Sequence, residues 1–189
     1  VFFWWNADHR ALPPVPTGRS SDHVVLMNTR MNQRDCHRGC LDGALALTGA
    51  ERGLIMSVRD RQYETVASVG FGEDFTQHPE ASSAGQLAED TIRRGRGSSS
   101  SGGEDEARGK LSPLKVLQDR SVLVVPLKTE GRVLGSIYID RLNSLGPFTQ
   151  RHQLLVEAYA LQVAAVLQNR RRLDVAIREP VTEIGRAHV

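Results

Sequence analysis

Cys36, His37 and Cys40 are the residues whose types and spacing come closest to a chemical site. Residues i and i+4 share one face of a helix, and thiolate and imidazole are zinc ligands. A tetrahedral structural site takes four ligands, and no second Cys/His pair follows along the chain. No metal ligand is therefore assigned. The chain holds no glycine-rich phosphate cradle and no nucleophile–base constellation, so no catalytic residue is assigned either, and an enzyme is not expected.

A second set of residues suits binding. In Val133 to Asp140, alternation puts Val133, Gly135, Ile137 and Ile139 on one face of a strand, with Leu134, Ser136 and Tyr138 on the other. In the run RGLIMSVRD, Ile55 and Ser57 oppose Leu54, Met56 and Val58. One sheet face is read as wholly apolar and the second as mixed, with hydroxyls at Ser57, Ser136 and Tyr138. Mixed polarity under a short helix and a long loop is what a small-molecule pocket needs. A half-solvated sheet face is the competing reading. Phe71 and Phe75, in the loop FGEDFTQHPEASS, are placed to lid such a pocket or to plug the core. The ligand-binding candidates are thus Ser57, Phe71, Phe75, Ser136 and Tyr138, with no cofactor identified.

These residues need a scaffold, and the chain supplies alternating signals for one. MNQRDCHRGCLDGALALTGAERG has Cys40, Leu41, Ala44, Leu45 and Leu47 at helical spacing, with Gly49 as a stop. RGLIMSVRD and QYETVASVG read as a hairpin about Arg59-Asp60-Arg61. AGQLAEDTIRRG reads as a helix with Leu87, Ala88, Thr91 and Ile92 on one side, capped by Ser82 or Ser83. SSSSGGEDEARG reads as a solvated, flexible insertion over residues 97–109. A second hairpin follows, SVLVVPLKTEGRVLGSIYIDR, with its turn at Glu130-Gly131. Pro126 inside that apolar run requires a gap, a bulge or an unpaired edge where its N–H is missing. The order helix, hairpin, helix, irregular segment, hairpin, long helix predicts an α+β fold with a central antiparallel β-sheet flanked by helices.

PFTQRHQLLVEAYALQVAAVLQNRRRLDVAIRE reads as the long C-terminal helix, with Pro147 near its start and Pro180 beyond its end. From Leu154 to Leu167 only Glu157 and Gln162 are strongly polar, so more than one side must be covered. A second copy of the chain can cover Leu154, Ala158, Leu161 and Ala165 as a dimer interface. The chain's own first helix is the alternative cover.

The bulk numbers bound the rest. With 189 residues, 40% hydrophobic and 24% charged, the sequence is that of a globular domain. A formal net charge of +2 gives no reason to expect nucleic acid or an anionic membrane as partner. Two cysteines do not make a disulfide framework, which favours a cytoplasmic setting. The absence of an initiator methionine reads as an excerpt from a longer protein. Residues 1–23, from VFFWW through ALPPVPTGRSSD, are set apart as upstream or non-native sequence. The domain is placed at 24–174, followed at 175–189 by a helical linker and a non-native tail, EIGRAHV.

VLVVPLKTEGRVLGSIYIDR followed by GPFTQRHQLLVEAYALQVAAVLQNRRR closely resembles the C-terminal half of a GAF domain. ALALTGAERGLIMSVRD resembles the first helix and strand of such domains, so the resemblance runs from about Leu41 to Asp174. It implies the α+β sheet already derived, with Pro126 as a marker of the fold. It also implies a small-molecule-sensing regulatory domain of a bacterial multidomain protein, attached to a transcription activator or kinase. The expected partners are an unknown small-molecule ligand, a second copy and a downstream effector domain. Two alternatives stand beside this: a ligand-free dimerisation or interaction module, and a cysteine-based reductase of the methionine sulfoxide type. Members of the family carry a further strand where this chain has its serine–glycine–acid stretch.

Overall fold

The computed structural model describes residues 33–59, 61–72, 79–101 and 116–178. In chain order these form α1 (Gln33–Thr48), β1 (Arg52–Arg59), β2 (Gln62–Val69), α2 (Pro79–Arg94), β3 (Ser98–Ser101), β4 (Arg120–Thr129), β5 (Arg132–Leu142) and α3 (Gln150–Arg178). The strands make one antiparallel sheet in the order β2-β1-β5-β4-β3. Helices α1 and α3 cover one face and α2 covers the other. This is the α+β arrangement that the sequence predicts. No described helix is long and apolar enough to cross a membrane.

Strand register sorts the apolar residues into two cores. β1 and β5 pair with Ile55 opposite Ile137 and Met56 opposite Ser136. Ile55, Leu123, Val125, Ile137 and Ile139 bury against Leu41 of α1 and Val156, Ala160 and Val163 of α3. The opposite parity, Leu54, Met56, Val122, Val124 and Tyr138, buries against Ala81, Ala84, Ala88 and Ile92 of α2. SVLVV lacks alternation because both faces of β4 are covered. The centre of this sandwich tolerates no side chain at Gly135, where a Cβ would lie 2.1 Å from the carbonyl oxygen of Met56. Gly43 plays a similar part between helices. A Cβ there would lie 2.2 Å from the Tyr159 hydroxyl, which donates to the Cys40 carbonyl at 3.1 Å.

Pro126 stands opposite Ser136 of β5, while on its other side β3 stops opposite Val124, two residues short. A residue without an N–H fits where the neighbouring strand has ended. Glu130 and Gly131 both have positive φ, 49° and 77°, as a type I′ hairpin turn requires.

Two expectations are corrected. Ser98–Ser101 is not solvated loop but the edge strand β3, with Ser98 opposite Val124 and Ser101 opposite Ser121. Backbone bonds hold an edge strand, and a run of serines leaves those bonds available while giving no apolar signal. Residues 102–109 of the expected insertion, like residues 1–23, lie outside the described residues. α2 begins at Pro79 rather than after Ser82 or Ser83, so both serines sit in its first turns and Ser83 is buried. Proline at a first helical position loses no bond, because its N–H would be unpaired there. At α3, Thr149 supplies the cap: its Oγ1 accepts from the His152 amide at 3.4 Å, and His152 Nδ1 accepts the Thr149 amide at 3.0 Å.

Candidate functional site

The α2 side of the sheet gathers Phe71, Ser136 and Tyr138. Ser136 is fully buried, and its hydroxyl donates to the Ala88 carbonyl of α2 at 3.0 Å. Tyr138 is also fully buried and donates to Asp140 Oδ2 at 2.7 Å. The Phe71 ring lies 6.4 Å from the Tyr138 ring, and the Arg52 guanidinium stands 4.9 Å above the Phe71 centroid. Phe71, two residues beyond β2, and Arg52, the first residue of β1, therefore meet Tyr138 and the first turn of α2 at one point. Phe75 lies outside the described residues.

Beneath them is a charge cluster that sequence reading missed. Asp140 has no exposure and accepts from Arg52 Nε at 2.9 Å, Arg52 Nη2 at 2.9 Å and Arg120 Nε at 2.6 Å. Arg120 also pairs with Glu51 at 2.9 Å, and Arg52 Nη1 pairs with Glu80 in the first turn of α2. Arg52 thus joins β1, β5, α2 and the Phe71 ring in one contact set. Burial works against its charge, but the hydrogen bonds and charges of Asp140 and Glu80 outweigh that and hold its pKa above the ordinary value. Burial and the Asp140 charge together raise the Tyr138 phenol, which stays a donor. One signal in the sequence points here. In SIYIDR, Asp140 follows Tyr138 at strand spacing, so a carboxylate faces inward at the end of a buried strand.

Ser57 does not belong with Ser136 and Tyr138. It pairs in register with Gly135 and shares the parity of Ile55, so it faces α3, where its hydroxyl accepts from Arg171 Nη2. Strand alternation alone requires this, whatever the shared hydroxyl chemistry suggests. Cys36 and Cys40 are buried in the core between α1, α3 and the sheet, at 0% and 1% exposure. A hydrogen bond to Cys36 and burial push the Cys40 thiol up. Among the described residues no cluster of three or more His, Cys, Asp or Glu is placed to hold a metal ion.

On α3, Leu154 and Leu161 are 59% and 60% exposed, and Ala158 and Ala165 lie on the same open face. α1 packs elsewhere, against Tyr159 and its neighbours. The alternative cover considered for this seam is therefore not the one the fold uses.

Two histidines are expected to make the stability of the domain depend on pH. Burial, then the charges of Arg171 and Arg170, lower the pKa of His37; burial, then Arg141 and Arg151, lower that of His152. Protonation thus favours the unfolded chain. The stability these groups contribute is complete above the unfolded value of 6.5 and is lost as pH falls below it. The urea midpoint is expected to fall between about pH 7 and about pH 5 in the wild type. It should fall less in a His37→Gln, His152→Gln double variant; equal slopes would contradict the assignment.

A family model described as GAF domain matches residues 32–168. The chain belongs to the GAF family. Solved GAF domains share its fold. One, from a phosphoenolpyruvate-protein phosphotransferase of Coxiella burnetii, superposes with a TM-score of 0.61 at 15% identity, covering 82% of this chain and 94% of that one. The GAF domain/HD domain protein from Geobacter sulfurreducens gives 0.57 at 14% identity, covering 82% and 99%. The GAF domain of a putative sensor histidine kinase from Pseudomonas syringae pv. tomato gives 0.56 at 15%, covering 84% and 86%. No curated protein matches the sequence significantly. The GAF assignment accounts for the shared fold, a five-stranded antiparallel sheet with helices against it and a long last helix.

Proposed function

We propose that this GAF domain is a sensory module of a larger bacterial signalling protein in the cytoplasm. It pairs with a second copy through α3, takes a small-molecule input between α2 and the sheet, and relays the change to an attached effector, a transcription activator or a kinase. The solved relatives named as parts of a sensor histidine kinase and a phosphotransferase favour this setting. The observation that carries the reading is the two-sided character of α3. Val156, Ala160 and Val163 are buried in the domain core, while Leu154 and Leu161 of the same helix stand open. A helix with a core face and an open apolar face transmits a change in packing to whatever lies on the open face.

The input side rests on how α2 is held. It meets the sheet mostly through alanines, and two polar ties fasten it: Arg52 to Glu80, and Ser136 to the Ala88 carbonyl. A ligand that replaces those ties shifts α2, but the shift counts only if the two arrangements bind it with different affinity. A ligand-free dimerisation module is the second reading, favoured by the full burial of Ser136 and Tyr138 and by their bonds within the protein.

A thermal-shift screen of the full chain separates the two. Cyclic nucleotides, amino acids, keto acids, haem and flavins are the probes. A ligand at a hundredfold excess over its Kd adds about 2.7 kcal/mol, and a midpoint rise of roughly 5–10 °C with one class is the expected result. No shift with any probe, together with a midpoint that rises with protein concentration, would overturn sensing in favour of the ligand-free module.

A further inference from the structure

On the face of the sheet away from α2, a cleft of about 340 Å³ opens between α1, the β1–β2 hairpin and α3. Arg34 and His37 enter it from the first turns of α1, Arg59 from the end of β1 and Arg171 from α3. Glu64 is the one carboxylate in the lining, set against three guanidinium groups. Among the described residues no salt bridge ties Arg34, Arg59 or Arg171 to a carboxylate, although Glu64 shares their cleft. Arg171 is held in place by the Ser57 hydroxyl and the Leu134 carbonyl, both neutral acceptors.

We propose that this cleft binds the phosphate group of a small soluble molecule, at a site separate from the sensing face under α2. Guanidinium forks match tetrahedral oxyanions two donors at a time, and one anion among three of them offsets their mutual repulsion. Burial and the nearby Arg59 charge already press on Arg171, and an anion relieves the second of these. The lining is polar enough that a small oxyanion fits it better than an aromatic ligand does. A bound phosphate clamps α1, β1 and α3 together beside Arg171, toward the C-terminal end of the long helix. The site thereby bears on the relay element without touching the exposed leucine seam.

The test is calorimetric titration of the full chain with inorganic phosphate, pyrophosphate and succinate at constant ionic strength. Saturable phosphate binding is expected, weakened at least tenfold in Arg34→Gln and in Arg59→Gln. Both side chains are exposed, so both variants should fold. Arg38→Gln, on an exposed helix position outside the cleft, should bind as the wild type does. Absence of saturable phosphate binding, binding of succinate in its place, or an unchanged Kd in both cleft variants would overturn the proposal.

Discussion

Replacing Asp140 with alanine is expected to lower the thermal midpoint by roughly 6–20 °C. Breaking a buried ion pair by removing one partner costs about 3–5 kcal/mol, and a domain of this size loses about 2–4 °C per kcal/mol. The reason lies in what is left behind. Arg52 and Arg120 are only 11% and 12% exposed, and both aim donors at a carboxylate that is fully buried. Tyr138 loses its acceptor in the same stroke. Asp140→Asn keeps an acceptor for part of this set and should fall between the wild type and the alanine variant. Asp42→Ala is the control, since its pair with Arg38 is more than half exposed on both sides and contributes little. Calorimetry of the three variants decides it; an Asp140→Ala midpoint within about 2 °C of the Asp42→Ala value would show that the cluster carries no such weight.

The second large effect concerns association. Under the proposed pairing through α3, glutamate at Leu161 is expected to weaken self-association roughly a thousandfold. An apolar anchor at the centre of an interface contributes about 2 kcal/mol or more, a two-fold contact counts each substitution twice, and every 1.4 kcal/mol is tenfold. Leu161 is 60% exposed in the single chain, so the fold itself should be spared. Sedimentation equilibrium gives the dissociation constant and circular dichroism the helix content. Unchanged association with intact helix content would place the interface elsewhere.

The elements were easier to read from the sequence than the site was. The long helix, the Glu130-Gly131 turn and the buried central strands each follow from a local pattern: near-continuous apolar spacing, a pair of residues tolerant of positive φ, and unbroken Val and Leu runs. β3 is not legible in the sequence because an edge strand is specified by its neighbour's free backbone, and four serines carry no periodic signal. Ser57 shares its chemistry with Ser136, but strand parity puts it on the other face. The Asp140 cluster draws on Glu51, Arg52, Glu80 and Arg120, which come from three separate segments of the chain. Sheet register and the docking of α2 bring them together, and no local window contains either. Phe71, Ser136 and Tyr138 do converge, but as a filled contact under α2 and not as an open wall.

Pulsed dipolar spectroscopy on the full chain spin-labelled at Gln162→Cys tests the central claim most directly. The native Cys36 and Cys40 are buried at 0% and 1%, so the label goes to the new site. Gln162 is exposed beside Leu161 near the middle of the seam, and packed helices lie about 8–10 Å apart. Pairing through α3 predicts a single intermolecular distance on the order of 15–30 Å, label arms included, that disappears in Leu161→Glu. No intermolecular signal, or a distance beyond roughly 40 Å, would contradict pairing through this helix and with it the proposed relay.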